Sequence, residues 1–179
     1  QPLPEEMIIG TIRQVLVVGM IAPSVTIGSI VVHLGRDKAL QTQLRDNPAL
    51  IPAAIEEMMR LYTPYRGFAR TAERDVAFRG VNIPAGEPIA VVYASANRDE
   101  EVFEDPDMFR LDRPNIKDSV AFGRGPHACV GAALARLELK VALEELLAGA
   151  PGFHLDGEPV QTRFPEIGAV SVPIRFELA

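Results

Sequence analysis

Apolar positions predict a long helix near the N-terminus, two shorter helices after it, and short strands further along the chain. The first apolar run covers 8–32 and predicts a helix over 5–34. Arg13 interrupts this run early, and Pro23 with three hydroxyl residues interrupts it later. We therefore interpret it as a buried core helix and not as a membrane span, which needs about 20 mostly apolar residues.

The middle of the chain changes from helical to strand periodicity. Segments 37–45 and 49–62 predict two further helices. Glycines and prolines punctuate short apolar runs over 67–92, which predicts strands joined by tight turns. A short helix is expected over 94–100, followed by an ordered loop over 101–120 that is acidic and proline-bearing.

The last third predicts one more long helix and then short strands. Segment 130–147 has a helical apolar period in which Ala133, Leu137 and Val141 form the apolar face, with Leu134 beside them. The intervening charged side chains are expected to face outward: Arg136, Glu138 and Lys140. Segment 151–179 reads as strands and turns. The predicted fold class is mainly α with small β-sheets (α+β).

Composition narrows the class of protein. The 179 residues carry a net charge of −6 and are 47% hydrophobic, which suits one globular unit over 1–179. The acidic balance argues against nucleic acid as a partner. One cysteine forms no internal disulfide, which favours a reducing, cytoplasmic setting. The three histidines are too scattered to suggest a metal cage.

The single cysteine follows a segment whose glycines and proline determine the backbone conformation. Gly123, Gly125 and Pro126 precede Cys129, and the helix predicted from near Val130 follows it. The free N–H groups at a helix start stabilise an anion, so the thiol there favours its thiolate form. A thiolate is a strong ligand for haem iron. Taken alone, the same residues also fit an inert cysteine buried beside a turn.

The motif around this cysteine resembles a known haem site. The pattern F-G-x-G-x-H-x-C-x-G over 122–131 is similar to the haem-binding loop of the cytochrome P-450 family. The resemblance implies the C-terminal half of that fold, from its central helix onward, and haem b (iron protoporphyrin IX) as cofactor. By the resemblance, Cys129 is the axial metal ligand and Phe122 packs near it. His127 contacts a haem propionate, Gly123 belongs to the loop, and Gly131 lets the helix approach the porphyrin.

Two further motifs extend the resemblance. Glu57 and Arg60 form E-x-x-R, and "FRLDRP" ends with Arg113 and a proline, like the family's meander signature. The resemblance implies a buried network of these three residues that supports the cysteine loop. By itself, a helical Glu–Arg pair is usually a solvent-exposed surface ion pair without a specific role. Arg70 matches the family's propionate-binding arginine, although an exposed strand arginine would look the same.

The first helix departs from the family pattern at its catalytic segment. The family has an acid followed by a threonine there, which help to deliver protons. By the resemblance, Gly19 and Ala22 occupy catalytic positions, but Ile21 and Ala22 replace the acid and the threonine. Neither side chain relays a proton. Either Pro23 simply bends the helix, or protons come from water or substrate, or peroxide replaces dioxygen and electrons.

The substrate pocket implied by the resemblance is mostly apolar. Its lining residues are Val18, Pro23, Tyr65, Arg66 and Ile167, which suit a hydrophobic organic molecule. Arg66 either binds a substrate carboxylate or points to solvent or to another chain.

The resemblance implies a haem-thiolate monooxygenase that takes electrons from a ferredoxin-type donor. Positive side chains on the cysteine side suggest where the donor docks: Arg124, Arg136 and Lys140. The alternatives are a peroxide-driven or non-hydroxylating haem enzyme and a non-catalytic haem-binding fragment. The family's N-terminal half has no counterpart in this sequence, so we expect that half as a partner chain.

Overall fold

The computed structural model describes residues 2–178 and confirms a mixed fold of helices and small sheets. Helices and strands alternate largely as the sequence predicts, and the short helix predicted over 94–100 is instead the four residues Tyr93–Ala96. The helices are α1 (Glu5–Arg36), α2 (Lys38–Asp46), α3 (Ile51–Leu61), α4 (Tyr93–Ala96) and α5 (Ala132–Ala148). Short 3₁₀ turns occur at Pro48–Leu50, Ile116–Asp118 and Gly125–His127.

Eight short strands pair in four antiparallel two-stranded sheets among the described residues: β1 with β4, β2 with β3, β5 with β8, and β6 with β7. Their bounds are β1 (Phe68–Thr71), β2 (Val76–Phe78), β3 (Val81–Ile83), β4 (Pro88–Val91), β5 (Phe153–Leu155), β6 (Val160–Gln161), β7 (Ala169–Ser171) and β8 (Ile174–Phe176).

Local residue chemistry explains where several elements begin and turn. Asp37 precedes α2, and its carboxylate accepts a hydrogen bond from the Leu40 N–H at 2.9 Å, which caps the helix. Pro52 occupies the first turn of α3, where its missing N–H costs nothing. The β2–β3 hairpin turns through Arg79 and Gly80 at φ 46° and 81°, the two positive values that such a tight turn requires.

The core lies where the second half of α1 meets α2, α3 and α5. Its fully buried side chains come from all four helices and from β5: Ile30, Leu34, Leu44, Ile55, Met58, Leu139, Leu143 and Phe153. This packing holds the start of α5 beside α3, which places the cysteine loop next to the helix that carries Glu57.

The prediction that the whole first apolar run is buried is wrong for its N-terminal half. In α1 the buried residues begin at Val25, and Val15 and Met20 are 63% and 67% exposed. Apolar composition does not say which surface covers a helix. By length and composition α1 could also cross a membrane, with a mean hydropathy of 2.3 over 18 residues, although the core helix of a soluble protein meets the same criterion.

The predicted apolar face of α5 is also wrong. Leu139, Leu143 and Leu147 are buried, whereas Leu137 and Val141 are exposed. Both rows repeat at four-residue spacing, so periodicity alone could not tell which one packs on α3. The second row, together with Ala133 and Leu134, forms an apolar stripe on the outside of this chain.

Candidate functional site

The cysteine loop is held by its backbone. Gly123 and Gly125 both have φ of 69°, a left-handed conformation that residues with a Cβ adopt at a cost. The Cys129 N–H donates to the Phe122 carbonyl at 2.8 Å, and the Ala128 N–H donates to the Gly125 carbonyl at 3.0 Å. These bonds close the loop and leave Cys129 exposed. The alternative of a cysteine buried beside a turn is therefore wrong.

The helix after the cysteine begins later than predicted. α5 starts at Ala132 with Gly131 as its N-cap, and the Ala132 N–H reaches the Cys129 carbonyl at 3.3 Å. Cys129 thus precedes the helix and is not its first residue. A Cβ added to Gly131 would come no closer than 3.9 Å to the Cys129 sulfur, so nothing else in the described chain crowds this position.

The residues present fit a haem better than a bare metal ion. Among residues 2–178 no three His, Cys, Asp or Glu side chains group as ligands, so Cys129 can offer a metal only one sulfur ligand. A single axial thiolate suits an iron that a macrocycle already holds. Beside it Val130 is fully exposed and Leu134 is 58% exposed, which suits the apolar porphyrin surface. His127 is exposed within the same loop.

Aromatic contacts connect the strand of Arg70 to the cysteine loop. Phe68 begins β1, and its ring lies 6.0 Å from that of Tyr93, measured between centroids. The Tyr93 hydroxyl lies 4.0 Å from the position of a Cβ on Gly123. Arg70 itself is exposed and donates only to the Ala69 carbonyl among the described residues. Its guanidinium is therefore available to an anion outside this chain.

The structure brings Glu57, Arg60 and Arg113 together in a buried network. Arg60 donates to both carboxylate oxygens of Glu57, at 2.8 and 2.9 Å, and Arg113 Nε donates to Oε1 at 2.8 Å. All three side chains are at most 1% exposed. The spare guanidinium N–H groups donate to carbonyls of the 97–108 segment. The network thus holds that loop against α3.

Two residues of this network were missed from the sequence. Asn97 is fully buried, donates to Thr63 Oγ1 at 2.7 Å, and accepts from the Val120 N–H at 2.8 Å. Phe103 lies beneath the guanidinium groups of Arg60 and Arg113, 5.1 and 5.9 Å from its ring centre. A single Asn and a single Phe in an aperiodic loop have no spacing that marks them.

The three positive side chains predicted to receive an electron donor each lie near a carboxylate. Arg136 donates from Nε and Nη2 to the two oxygens of Glu56, at 2.5 and 3.1 Å. Arg124 lies 3.4 Å from Asp118, and Lys140 lies 3.3 Å from Glu144 on the same helix. The hydrogen bond to Glu56 is the main reason that the pKa of Arg136 is raised.

The predicted catalytic segment of α1 offers no side-chain proton relay. Gly19 is exposed, and a Cβ there would meet nothing within 4 Å. Thr26, the nearest threonine after Ala22, donates its hydroxyl to the Ala22 carbonyl at 2.7 Å. Pro23 has no N–H, so the Gly19 carbonyl lacks its usual helical donor. The helix nevertheless continues to Arg36.

The structure joins the two chain segments predicted to line the pocket. Tyr65 pairs with Glu166 in an isolated antiparallel bridge, and the Ile167 N–H donates to the Pro64 carbonyl at 2.8 Å. Burial and then the charge of Glu166 raise the pKa of Tyr65. Arg66 is exposed and forms no side-chain ion pair within 2–178.

The same loop is fastened to α1. A Cβ added to Gly168 would lie 2.5 Å from Val25 Cγ1, so only glycine permits this approach. The contact places Ile167 near the turn of α1 that follows Pro23. Val18 is half-buried, almost two helical turns before Val25, and forms no backbone hydrogen bond with this loop.

A cavity lies away from the cysteine loop and contains none of the predicted pocket residues. It has a volume of about 270 Å³ and is lined by Ser29, Val32, His33, Arg36, Asp37, Tyr62, Gln161 and Ala169. His33 Nδ1 and the Tyr62 hydroxyl form a 2.7 Å hydrogen bond at its wall. Burial lowers the pKa of His33.

Comparison with known protein families gives one match, described as Cytochrome P450, over residues 29–161. Cytochrome P450-terp of a Pseudomonas species is 43% identical over 155 residues, which cover 85% of this chain and 36% of the relative. Mycinamicin IV hydroxylase/epoxidase of Micromonospora griseorubida is 41% identical over 168 residues, 92% of this chain and 42% of the relative. The chain thus spans less than half the length of these curated relatives.

Solved structures give the same match in three dimensions. CYP109E1 from Bacillus megaterium, in complex with corticosterone, superposes with a TM-score of 0.90 at 33% identity, covering 97% of this chain and 47% of that one. The ligand-free cytochrome P450 TbtJ1 superposes with a TM-score of 0.93 at 34% identity, covering 99% and 47%.

Proposed function

The chain belongs to the cytochrome P450 family, and we propose that it is the haem-binding part of a haem-thiolate monooxygenase. The observation that carries the proposal is the cysteine loop. Cys129 is exposed just before α5, and its N–H donates to the carbonyl of Phe122 at 2.8 Å. Two glycines in the left-handed conformation, Gly123 and Gly125, shape the backbone of the loop. An inert structural thiol needs none of these features.

The proposed reaction inserts one atom of dioxygen into a hydrophobic organic molecule. The second oxygen atom leaves as water, which consumes two electrons and two protons. Haem b, when bound, supplies the one-electron and dioxygen chemistry. Cys129 would hold its iron, while Arg70 and His127 would bind its propionates through charge-assisted hydrogen bonds. The network of Glu57, Arg60 and Arg113 would help to keep the cysteine loop in position.

The substrate class follows from the α1 surface and the loop beside it. Val18, Pro23 and Ile167 are apolar, Tyr65 is partly buried, and Arg66 supplies the one free positive charge among these five described residues. A hydrophobic molecule with one acidic group would use all of them. The similar Bacillus megaterium structure holds corticosterone, which supports a hydrophobic ligand.

We further propose that residues 1–179 form a single unit that works with an N-terminal half of the same enzyme. Two exposed apolar surfaces support this: the first half of α1 and the outer stripe of α5. The occupant is expected to be that N-terminal half, because this chain covers only 36% and 42% of the two relatives. The assembled protein would reside in the cytoplasm.

Electrons are proposed to come from a ferredoxin-type donor. Its acidic surface would meet the cysteine side of the protein, where Arg124 is 56% exposed and Lys140 is 45% exposed. Their partners Asp118 and Glu144 are also exposed, so these ion pairs are weak and open to exchange. Charge reversal at both positions should slow reduction by the donor at low salt, and unchanged reduction kinetics would contradict this route.

A second candidate function is favoured by one observation. Ile21 and Ala22 replace the acid and threonine, and the hydroxyl of Thr26 is already bonded to the Ala22 carbonyl. A peroxide-driven or non-hydroxylating reaction needs no proton relay from those positions. A third candidate, a non-catalytic haem-binding fragment, would keep the loop without turnover.

Turnover assays separate these candidates. The haem-loaded protein is supplied either with donor proteins, a reductant and dioxygen, or with hydrogen peroxide alone. If product forms with donor proteins and dioxygen but not with peroxide, the monooxygenase is supported. If product forms with peroxide alone, the second candidate is supported. Haem binding without product from either mixture would contradict both enzymatic proposals.

A further inference from the structure

A side-chain connection runs from α3 to the cysteine through Arg136. Both carboxylate oxygens of Glu56 accept hydrogen bonds from this guanidinium, at 2.5 and 3.1 Å. The same guanidinium lies over the Phe122 ring, 4.5 Å from its centre. The Phe122 carbonyl accepts the N–H of Cys129 at 2.8 Å. Three successive contacts thus relate the position of Cys129 to that of α3.

This connection begins one residue away from the buried network. Glu57 faces the interior and binds Arg60 and Arg113, whereas Glu56 faces outward and binds Arg136 on α5. Consecutive glutamates of α3 therefore hold two different parts of the site. Glu57 holds the 97–113 loop, and Glu56 holds the cysteine loop.

We propose that Arg136 is a positioning residue that fixes the Phe122 ring, and through it Cys129, against α3. The inference deepens the proposed function and rests on it for the role of the cysteine. Arg136 acts through Phe122 and does not itself need to touch haem or substrate.

Geometry favours positioning over a role in global stability. Arg136 and Glu56 are 45% and 31% exposed, and ion pairs that exposed contribute little to the free energy of unfolding. The guanidinium carbon, however, lies over an aromatic ring, and two of its N–H groups are bonded to a carboxylate. This geometry restricts the ring in a way that a lysine ammonium does not reproduce.

The same geometry distinguishes Arg136 from a donor-docking charge. A docking charge must be free to meet an acidic partner, whereas two N–H groups of Arg136 are already bonded to Glu56. Lysine in its place would keep a docking charge but lose the planar stack. Arg136→Lys therefore separates the two roles.

Amide hydrogen exchange in the haem-free 179-residue chain tests the proposal. Arg136→Gln should make exchange of the Cys129 N–H about tenfold faster, the change expected for loss of a stack and an ion pair. Arg136→Lys should behave like Arg136→Gln. Glu56→Gln should give a smaller increase, about threefold. The core amide of Leu143 should be unchanged in all three variants.

Arg175→Gln is the matched control, because Arg175 is also an exposed arginine in an ion pair, with Asp156, and lies on β8 away from the cysteine side of the protein. Its exchange rates should equal those of the unsubstituted chain. The proposal is overturned if Arg136→Gln leaves Cys129 exchange at the control rate, if Arg136→Lys preserves the normal rate, or if Leu143 is loosened as much as Cys129.

A second readout uses the haem-loaded protein. Arg136→Gln and Arg136→Lys should lower the share of reduced protein whose carbon monoxide spectrum shows thiolate ligation, whereas Arg175→Gln should not. An unchanged share would overturn the connection from α3 to the thiolate. If the unsubstituted protein shows no thiolate ligation, the proposed function fails, and the exchange experiment still decides whether Arg136 positions the loop.

Discussion

Glu57 and Arg113 are 56 residues apart in the chain, yet Arg113 Nε donates to Glu57 Oε1 at 2.8 Å and both side chains are 1% exposed. A buried ion pair of this kind does not add much stability over an apolar pair, but its disruption is expensive. The loss of one member leaves the other charge in a dry interior.

Glu57→Gln should therefore lower the free energy of unfolding by about 3–5 kcal/mol. Two guanidinium groups, those of Arg60 and Arg113, would lose their carboxylate. Urea unfolding followed by far-UV circular dichroism measures the effect. Glu104→Gln, at the exposed Arg110 pair, is the control and should cause no measurable change. A loss below about 1 kcal/mol for Glu57→Gln would show that the network is dispensable.

Two glycines of the cysteine loop, Gly125 and Gly131, should respond differently to substitution by alanine. Gly125 has φ of 69°, and a Cβ added there would meet no atom within 4 Å. Gly125→Ala therefore adds backbone strain alone and should destabilise the chain by about 1–2 kcal/mol. Gly131 has φ of −86°, and its Cβ would make only ordinary contacts.

Gly131→Ala should accordingly leave the haem-free chain as stable as before, but it should weaken haem binding, because the methyl group would meet the porphyrin. Haem titration and urea unfolding of both variants check this contrast. Equal haem affinity in Gly131→Ala and the unsubstituted protein would contradict the placement of the macrocycle beside α5.

His33 should make stability depend on pH. Burial lowers the pKa of this side chain below its usual value near 6.5, so the unfolded chain binds a proton more readily than the folded chain. The free energy of unfolding should be constant above that value and fall as the pH drops from 6.5 through the folded pKa.

Urea unfolding between pH 8 and pH 5 measures this slope. His33→Gln should flatten it, whereas His154→Gln, at an exposed position, should retain it. A slope that survives in His33→Gln would assign the effect to other groups.

The element order and the backbone conformation of the cysteine loop could be predicted from the sequence because their signals are local. Glycines that need positive φ lie within six residues of the cysteine, and Glu57 and Arg60 are one helical turn apart. The contact of Arg136 with Glu56 joins residues 80 positions apart and has no periodic signature. Only the packing of α5 on α3 reveals it.

The two wrong burial assignments have one physical cause. Periodicity shows that a helix has an apolar row, but it does not show whether this chain or another surface covers that row. α5 has two such rows, ending at Leu147 and at Val141, and only the first packs inside the chain. The first half of α1 has apolar residues around its whole circumference despite Arg13, so its exposure could not be deduced from its sequence.

Ala22 provides a test of proton delivery. Ala22→Thr would restore a hydroxyl at the position where the family usually has one. If dioxygen is the oxidant, product formed per electron pair supplied should rise, because a positioned proton donor accelerates such steps by roughly 100-fold or more. Product and reductant consumption are measured together. Unchanged coupling, with faster turnover on peroxide, would contradict the dioxygen route and support the second candidate.

The carbon monoxide difference spectrum of the reduced protein reports on the iron ligand itself. It is recorded on the haem-loaded chain alone and on the chain co-expressed with an N-terminal half from a similar P450. We expect a thiolate-type Soret shift in at least the paired sample, and Cys129→Ser should abolish it while leaving the fold intact. If neither sample shows a thiolate shift, or if Cys129→Ser retains it, Cys129 is not the iron ligand and the assignment as a haem-thiolate protein is contradicted.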